Sequence, residues 1–132
     1  MIELDFASGG RFEKRGNYVR AKRVGSHVFV AGTTAIEPSG RLHAPGDVQA
    51  QTRFIFDRIG EALEEVGASL SDVVRTRAYL SDIALSSDYV DVHGEVFEGI
   101  FPVATAIQAG LTVPGMVVEV EVDAIIGDCA GE

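Results

Sequence analysis

The sequence has few of the residues that build disulfide frameworks or membrane spans. Its 132 residues include four prolines, no tryptophan and one cysteine, Cys129, which cannot form an internal disulfide. The simplest expectation is a reducing, cytoplasmic location. No apolar run approaches the roughly 18 residues typical of a membrane helix. Residues 1–16 lack the apolar core of a secretory signal, so we expect none there.

Positive charge is also scarce. Eleven lysines and arginines stand against twenty aspartates and glutamates, which gives a net charge of −9. Such a surface repels phosphate backbones, so general nucleic-acid binding is disfavoured. A local cluster of arginines could still bind a small anion. The length predicts one domain, and the hydrophobic content of 46% is ordinary for a globular protein.

The most regular pattern lies near the C-terminus, where VVEVEVDAII alternates strictly between apolar and acidic residues. Side chains of a strand alternate between its two faces, so Glu119, Glu121 and Asp123 share one face. The other face carries the apolar residues Val118, Val120, Val122, Ala124 and Ile126. Three carboxylates on one face repel each other. We therefore expect cations opposite them, solvation by water, or a functional role that explains them.

The rest of the chain alternates between strand patterns and helix patterns. Apolar residues at three- and four-residue steps predict helices over 47–66 and 86–97. Strands are predicted over 18–24, 27–31, 73–80, 103–109 and 117–126. The order ββ-α-β-α-ββ favours an α+β domain with both helices on one face of a mixed sheet. We divide the chain into an N-terminal arm (1–16), a single domain (17–127) and a tail (128–132).

The sheet face without helices is predicted to be strongly charged. In the third strand, alternation places Arg75, Arg77 and Tyr79 on this face and Val74, Thr76, Ala78 and Leu80 on the other. Tyr18, Arg20 and Lys22 of the first strand join the charged face by the same parity. We expect these basic strands to neutralise the acidic strand by cross-strand pairing. A face too charged for a core predicts a closed oligomer with a polar interior.

The candidates for metal binding or nucleophilic chemistry are few. His27, His43 and His93 have no mutual spacing typical of a metal site, so we expect no metal and no cofactor. His93 lies on a helix face and is interpreted as a packed residue. Nothing near Cys129 would lower the pKa of its thiol, so we do not expect it to be a nucleophile.

Several short sequence motifs in a fixed order resemble the YjgF/RidA family, also known as endoribonuclease L-PSP, over roughly residues 16–126. These motifs are YVRA at 18–21, VG at 24–25, VFVAG at 28–32, QTR at 51–53, GASLSDVV at 67–74 and EVE at 119–121. The resemblance implies a chorismate-mutase-like fold. It also implies a homotrimer whose sheets form a central barrel, with a small-molecule pocket at each subunit interface. The founding activity of that family is hydrolysis of reactive enamines and imines, such as 2-aminoacrylate.

The resemblance also implies roles for individual residues. Glu119 corresponds to the acid that holds a water, and it is the candidate catalytic residue. Tyr18 corresponds to a pocket aromatic. Gly32 and Ala106 correspond to positions whose backbone groups contact the ligand.

One expected residue is missing. The family binds the substrate carboxylate with an arginine, whose guanidinium can donate two parallel hydrogen bonds. Ala104 stands at that position, and the neighbouring Thr105 is a possible pocket hydroxyl. Arg20 stands where family members often have glutamine. Arg20 or Arg77 could replace the missing arginine, although charge balance on the sheet is the preferred explanation of both.

Three functions remain open on these grounds. The first is a hydrolase or deaminase with an altered substrate, which uses Glu119 and a bound water. The second is a non-catalytic trimer that binds a metabolite. The third, endoribonuclease activity, is disfavoured by the acidic charge.

Overall fold

The computed structural model describes residues 1–127, and it contains the predicted strands and helices. The first predicted strand is shorter than expected, because it begins at Ala21 and leaves Tyr18 and Arg20 outside it. The strands are β1 (Glu3–Phe6), β2 (Ala21–Val24), β3 (His27–Thr33), β4 (Val73–Leu80), β5 (Val103–Gln108) and β6 (Val118–Ile125). The helices are α1 (Glu13–Gly16), α2 (Val48–Glu65) and α3 (Ser86–Val96). The predicted tail at 128–132, with Cys129, lies outside the described residues.

The strands form one mixed sheet in the order β1-β2-β3-β6-β4-β5. Only the β4–β5 pair is parallel among the described strands, and the other neighbours are antiparallel. Helix α2 packs against β3 and β6, and α3 packs against α2. The predicted α+β fold, with helices on one face of a mixed sheet, is therefore confirmed.

Helix α2 has clear signals at both ends. The side chain of Asp47 accepts a hydrogen bond of 3.0 Å from the backbone N–H of Ala50, which caps the N-terminus. Gly67 follows the C-terminus with a φ of +88°, a conformation that favours glycine. Between these ends, Ile55, Ile59 and other apolar residues of the predicted stripe are fully buried.

Strand β6 lies at the centre of the core, and its alternation is confirmed. Val118, Val120 and Val122 are at most 1% exposed, whereas Glu119 and Glu121 are half-buried on the opposite face. Burial of such apolar side chains contributes about 1.5–3 kcal/mol each to the free energy of unfolding. The same residues that form the core thus hold the acidic face of β6 in place.

One face assignment in β4 is wrong. Val74 was expected beside Thr76 on the apolar face, but it is 41% exposed, and Val73 is buried in its stead. The register against β6 shifts between Val73 and Arg75. A bulge of this kind adds one residue and reverses the alternation on one side of it.

Residues 1–16, predicted as an arm, contribute β1 and α1. Strand β1 pairs antiparallel with β2 and forms one edge of the sheet. Its four residues, ELDF, are too short and too charged to give a strand signal of their own. None of the helices within residues 1–127 is long and apolar enough to cross a membrane.

Candidate functional site

A cleft of about 320 Å³ opens on the sheet face that the helices leave uncovered. Side chains of β4 and β6 form its floor, and the backbone of β3 forms one wall. The lining residues are Gly32, Tyr79, Ala109, Gly110, Leu111, Glu119 and Glu121. Concave sites with a few converging polar groups are the usual places where small molecules bind.

The carboxylate of Glu119 lies directly against the backbone of Gly32. A Cβ atom at position 32 would fall far inside van der Waals contact with Oε2 of Glu119. Burial raises the pKa of Glu119 above its usual range; the nearby charge of Arg20 lowers this pKa, and Glu121 raises it. Glu119 can therefore take up and release a proton closer to neutral pH than an exposed glutamate can.

Tyr79 and Glu121 form the second polar pair of the cleft. The register of β4 against β6 places Tyr79 directly opposite Glu119. The hydroxyl of Tyr79 donates a hydrogen bond to Oε1 of Glu121. This hydrogen bond, with a smaller effect of burial, raises the pKa of Tyr79, so its hydroxyl stays protonated at neutral pH.

Arg20 does not pair with the acidic face as predicted. Its Nη1 donates to the carbonyl oxygen of Gly32 at 2.7 Å, and its Nε lies 3.6 Å from Oε2 of Glu13. Lys22 likewise pairs with Asp5, at 3.1 Å, instead of with β6. Both cations are paired with acids of residues 1–16, since β1 is the neighbour of β2 and β3 separates β2 from β6.

Arg75 and Arg77 do neutralise the acidic strand, but only at one residue. Asp123 Oδ2 lies 3.4 Å from Nη1 of Arg77 and 3.9 Å from Nε of Arg75. The expected pairing is confirmed for Asp123. It is wrong for Glu121, whose partner in the described part of the chain is the hydroxyl of Tyr79.

The residues of β5 lie apart from Glu119 within one chain. Ala104 is paired with Thr76, which is fully buried on the helix-covered face, whereas Thr105 is paired with Arg77 on the open face. Glu119 and Ala104 therefore lie on opposite faces of the sheet. Ala106 is partly buried against the core, and it does not line the cleft.

Tyr18 is 43% exposed and also lies outside the lining of the cleft. Its ring centroid is 5.9 Å from Cζ of Arg20, which is within the range of a cation–π contact. Among the expected site residues, the structure thus brings together Glu119 and Gly32, with Arg20 behind Gly32. Tyr18, Ala104, Thr105 and Ala106 are not brought into the cleft of a single chain.

Sequence reasoning did not single out Tyr79, Glu121 or the turn at 109–111 as site residues. Side-chain alternation along β4 correctly predicts that Tyr79 lies on the charged face. Alternation does not predict how β4 is aligned with its neighbouring strand. The register between β4 and β6 is what sets Tyr79 beside Glu119. No local signal in the sequence specifies that register.

His93 is half-buried and packed against neighbouring side chains, as predicted. Its Nε2 lies 2.9 Å from Oγ1 of Thr76, and its ring contacts Phe56 and Phe97. Burial lowers its pKa, so the ring is neutral at neutral pH. Within residues 1–127 there is no group of three or more histidine, cysteine or acidic side chains that could hold a metal ion.

Comparison with known proteins gives a consistent result. The family described as endoribonuclease L-PSP matches residues 9–126. A RutC family protein of Pyrococcus abyssi, PYRAB12510, is 34% identical over 106 residues, which cover 80% of this chain and 84% of the relative.

Solved structures agree with the sequence comparison. Rv2704 of Mycobacterium tuberculosis, described as a member of the YjgF/YER057c/UK114 family, is 40% identical with a TM-score of 0.85, and the match covers 95% of this chain and 100% of that one. YyfA of Yersinia pestis, described as a Rid family protein of unknown function, is 28% identical with a TM-score of 0.78. That match covers 84% of this chain and 89% of YyfA.

Proposed function

Because the chain belongs to the endoribonuclease L-PSP family, that of the YjgF/RidA proteins, we propose that its cleft binds a small molecule and hydrolyses an imine, enamine or related carbonyl compound. The observation that carries this proposal is the position of Glu119. Its carboxylate is half-buried beside the backbone of Gly32, and burial raises its pKa. General acid–base catalysis requires a group of this kind.

The chemistry assigns the proton transfers to Glu119. Glu119 accepts a proton from a water as the oxygen of that water bonds to the imine carbon. The electron pair of the C=N bond moves to nitrogen, which takes that proton from Glu119 and gives a carbinolamine. Glu119 then accepts the hydroxyl proton of the carbinolamine as the carbonyl forms and the C–N bond breaks. The electron pair of that bond goes to nitrogen, and Glu119 returns the proton to the leaving amine. An enamine enters the same sequence after protonation at carbon.

The cleft favours a substrate without a carboxylate. Ala104 offers neither charge nor donors, and no arginine is among the residues that line the described cleft. Arg20 is held against Gly32 and Glu13. Two carboxylates, Glu119 and Glu121, would repel an anionic substrate group. We therefore propose that 2-aminoacrylate is a poor substrate.

A homotrimer would complete this site. Ala104 and Glu119 lie on opposite sheet faces of one chain, so Ala104 can face a cleft only in another copy. Large apolar side chains also remain exposed on the open face and along β5, including Phe29 (48%), Val103 (57%) and Ile107 (49%). Exposed apolar surface of this kind is typical of an interface. We propose that three copies cover it.

A non-catalytic trimer that binds a metabolite is the second candidate. The hydroxyl of Tyr79 donates to Glu121, so these two polar groups satisfy each other and are not free to take part in a reaction. Endoribonuclease activity is the third candidate, and the net charge of −9 disfavours it. We therefore rank hydrolysis of an uncharged or cationic imine first.

The test compares imine hydrolysis by the wild-type protein, Glu119→Gln and Glu98→Gln. Glu98 is an exposed acid that follows α3, on the helix-covered side of the sheet. A series of imines with and without a carboxylate is generated in situ, and carbonyl release is timed. We expect Glu119→Gln to lose about 10²–10⁴-fold in rate and Glu98→Gln to match the wild type. Binding of a substrate analogue without turnover would favour the second candidate.

A further inference from the structure

Glu13 is a buried acid in the N-terminal segment. It is 5% exposed, although it belongs to a four-residue helix near the start of the chain. Both of its carboxylate oxygens accept hydrogen bonds from Ser8, one from the backbone N–H at 2.9 Å and one from the hydroxyl. Carboxylates are rarely buried to this degree unless they are paired. Its position therefore requires an explanation.

The cation beside Glu13 is Arg20. The Nε of Arg20 lies 3.6 Å from Oε2 of Glu13, and both side chains are at least 90% buried. This Nε–H group is buried and has no hydrogen-bond partner among the described residues. The 3.6 Å separation is too long for a hydrogen bond, so the attraction between the two groups is electrostatic. Glu13 thus holds the guanidinium by charge and leaves its Nη1 free to point elsewhere.

The other end of the same guanidinium reaches the candidate site. Nη1 of Arg20 donates to the carbonyl oxygen of Gly32 at 2.7 Å, and it lies 3.4 Å from Oγ1 of Thr33. Gly32 is the residue against which the Glu119 carboxylate rests. A continuous set of contacts therefore leads from Ser8 and Glu13 through Arg20 to the backbone beside Glu119.

We infer that Glu13 is a positioning residue of the cleft, which acts through Arg20 to place Gly32 and to set the charge that Glu119 experiences. The inference makes the N-terminal segment a part of the site. It rests on the proposed function only in taking Glu119 as the functional acid.

The electrostatic consequence has a definite sign. The charged or titratable groups that act on Glu119 are Arg20, Glu121 and Tyr79, and Glu13 and Arg58 lie behind them around Arg20. The guanidinium of Arg20 favours the ionised form of Glu119, and Glu13 partly cancels that positive charge. Removing the charge of Glu13 leaves a stronger positive potential at Glu119. The pKa of Glu119 then falls.

The test is a pH titration of the Glu119 side-chain carboxyl, followed by carbon NMR in the ligand-free protein. The variants are Glu13→Gln, which removes the charge at nearly constant shape, and Glu3→Gln. Glu3 is an exposed acid of β1, so it controls for a general change in net charge. We expect the midpoint of Glu119 to move to lower pH in Glu13→Gln and to stay in place in Glu3→Gln. An equal midpoint in the wild type and both variants would overturn the inference.

A second variant is needed in case Glu13→Gln does not fold. If circular dichroism shows that Glu13→Gln is unfolded, Glu13→Asp takes its place, because it keeps the charge but withdraws the carboxylate from Arg20 by one methylene. We expect a smaller displacement in the same direction, and no displacement in a folded Glu13→Asp would again overturn the inference. The titration needs no substrate, so it can succeed even if no imine is hydrolysed. Its failure is therefore distinct from failure of the proposed function.

Discussion

Gly32 and Glu119 are in contact across the β3–β6 boundary, and the contact exists only because position 32 has no side chain. A Cβ atom there would occupy the space of the Glu119 carboxylate. The φ of Gly32 is not in the positive range, so the glycine is needed for close approach and not for backbone conformation. The register between β3 and β6 also shifts between Val30 and Thr33, beside this contact.

The first prediction concerns Gly32→Ala. The new methyl group meets the far end of a flexible side chain, so we expect the fold to persist while the Glu119 carboxylate moves out of its position. Imine hydrolysis or ligand binding should fall strongly, with only a small change in melting temperature. The control is Gly94→Ala in α3, where a Cβ atom would meet nothing within 4 Å. Equal loss of activity in both variants would contradict the prediction.

The fold was more predictable than the site, and β6 shows the reason. Its alternation of valines and acids is a local pattern, and it correctly separated the buried face from the face that carries Glu119. The partners of Glu119 come from register and from chain segments far away in sequence. Tyr79 lies opposite it only because β4 is aligned with β6 in one particular way. Glu13 lies beside Arg20 because residues 1–16 fold back on the chain, which no local pattern indicated.

The second prediction is that the protein is a trimer in solution. Light scattering at micromolar concentration should give about three times the chain mass of 14.0 kDa. Phe101 offers a variant for the same measurement, because it is 86% exposed two residues before β5 begins and has a φ of +57°. A bulky residue rarely adopts this conformation without compensation from its surroundings. We expect Phe101→Asp to lower the fraction of trimer, whereas a wild-type mass of one chain would remove the proposed interface.

The third prediction concerns Arg77→Ala. In a single chain, the Arg77 and Asp123 side chains are 41% and 29% exposed, and such a pair contributes about 0–1 kcal/mol. Coverage by other copies would raise the cost of removing one partner to about 3–5 kcal/mol. We expect the larger effect, seen as a clear drop in melting temperature. Arg53→Ala is the matched control, since Arg53 and Glu95 form an exposed pair between α2 and α3. Similar melting temperatures for both variants would show that the open face stays solvated.

The fourth prediction is a pH dependence of stability that comes from His93. Burial lowers its pKa in the folded protein below the unfolded value of about 6.5. Below that pH the unfolded chain binds the proton more readily, so the free energy of unfolding falls as the pH drops. We expect His93→Gln to flatten the decline between about pH 7 and 5. Urea unfolding at several pH values measures this, with the exposed His27→Gln as the control. If the free energy of unfolding falls as steeply with pH in His93→Gln as in the wild type, other groups cause the decline.

The last prediction is that hydrolysis of 2-aminoacrylate or iminopropionate is inefficient. Loss of a charge-assisted pair to the substrate carboxylate should cost about 2–5 kcal/mol of binding. This corresponds to roughly 30- to 4,000-fold at about 1.4 kcal/mol per decade. Arg20 cannot compensate while its guanidinium is held between Glu13 and the Gly32 carbonyl. In the assay an amino-acid oxidase makes the imine and keto-acid release is timed, and acceleration equal to that of an arginine-containing relative would refute the prediction.

Low activity on 2-aminoacrylate could have two causes: the arginine that binds the carboxylate is missing, or the whole cleft is suited to another substrate. The variant Ala104→Arg distinguishes them. If Glu119 and its water are otherwise ready, the new guanidinium should restore carboxylate binding and raise the rate, with most of the gain in KM. Ser87→Arg is the control, because it adds the same charge at an exposed position of α3, away from the cleft. A gain in rate for Ala104→Arg alone would show that only the carboxylate-binding arginine is missing. No gain in either variant would indicate that Glu119, Glu121 and Tyr79 form a cleft for a substrate without a carboxylate, as proposed.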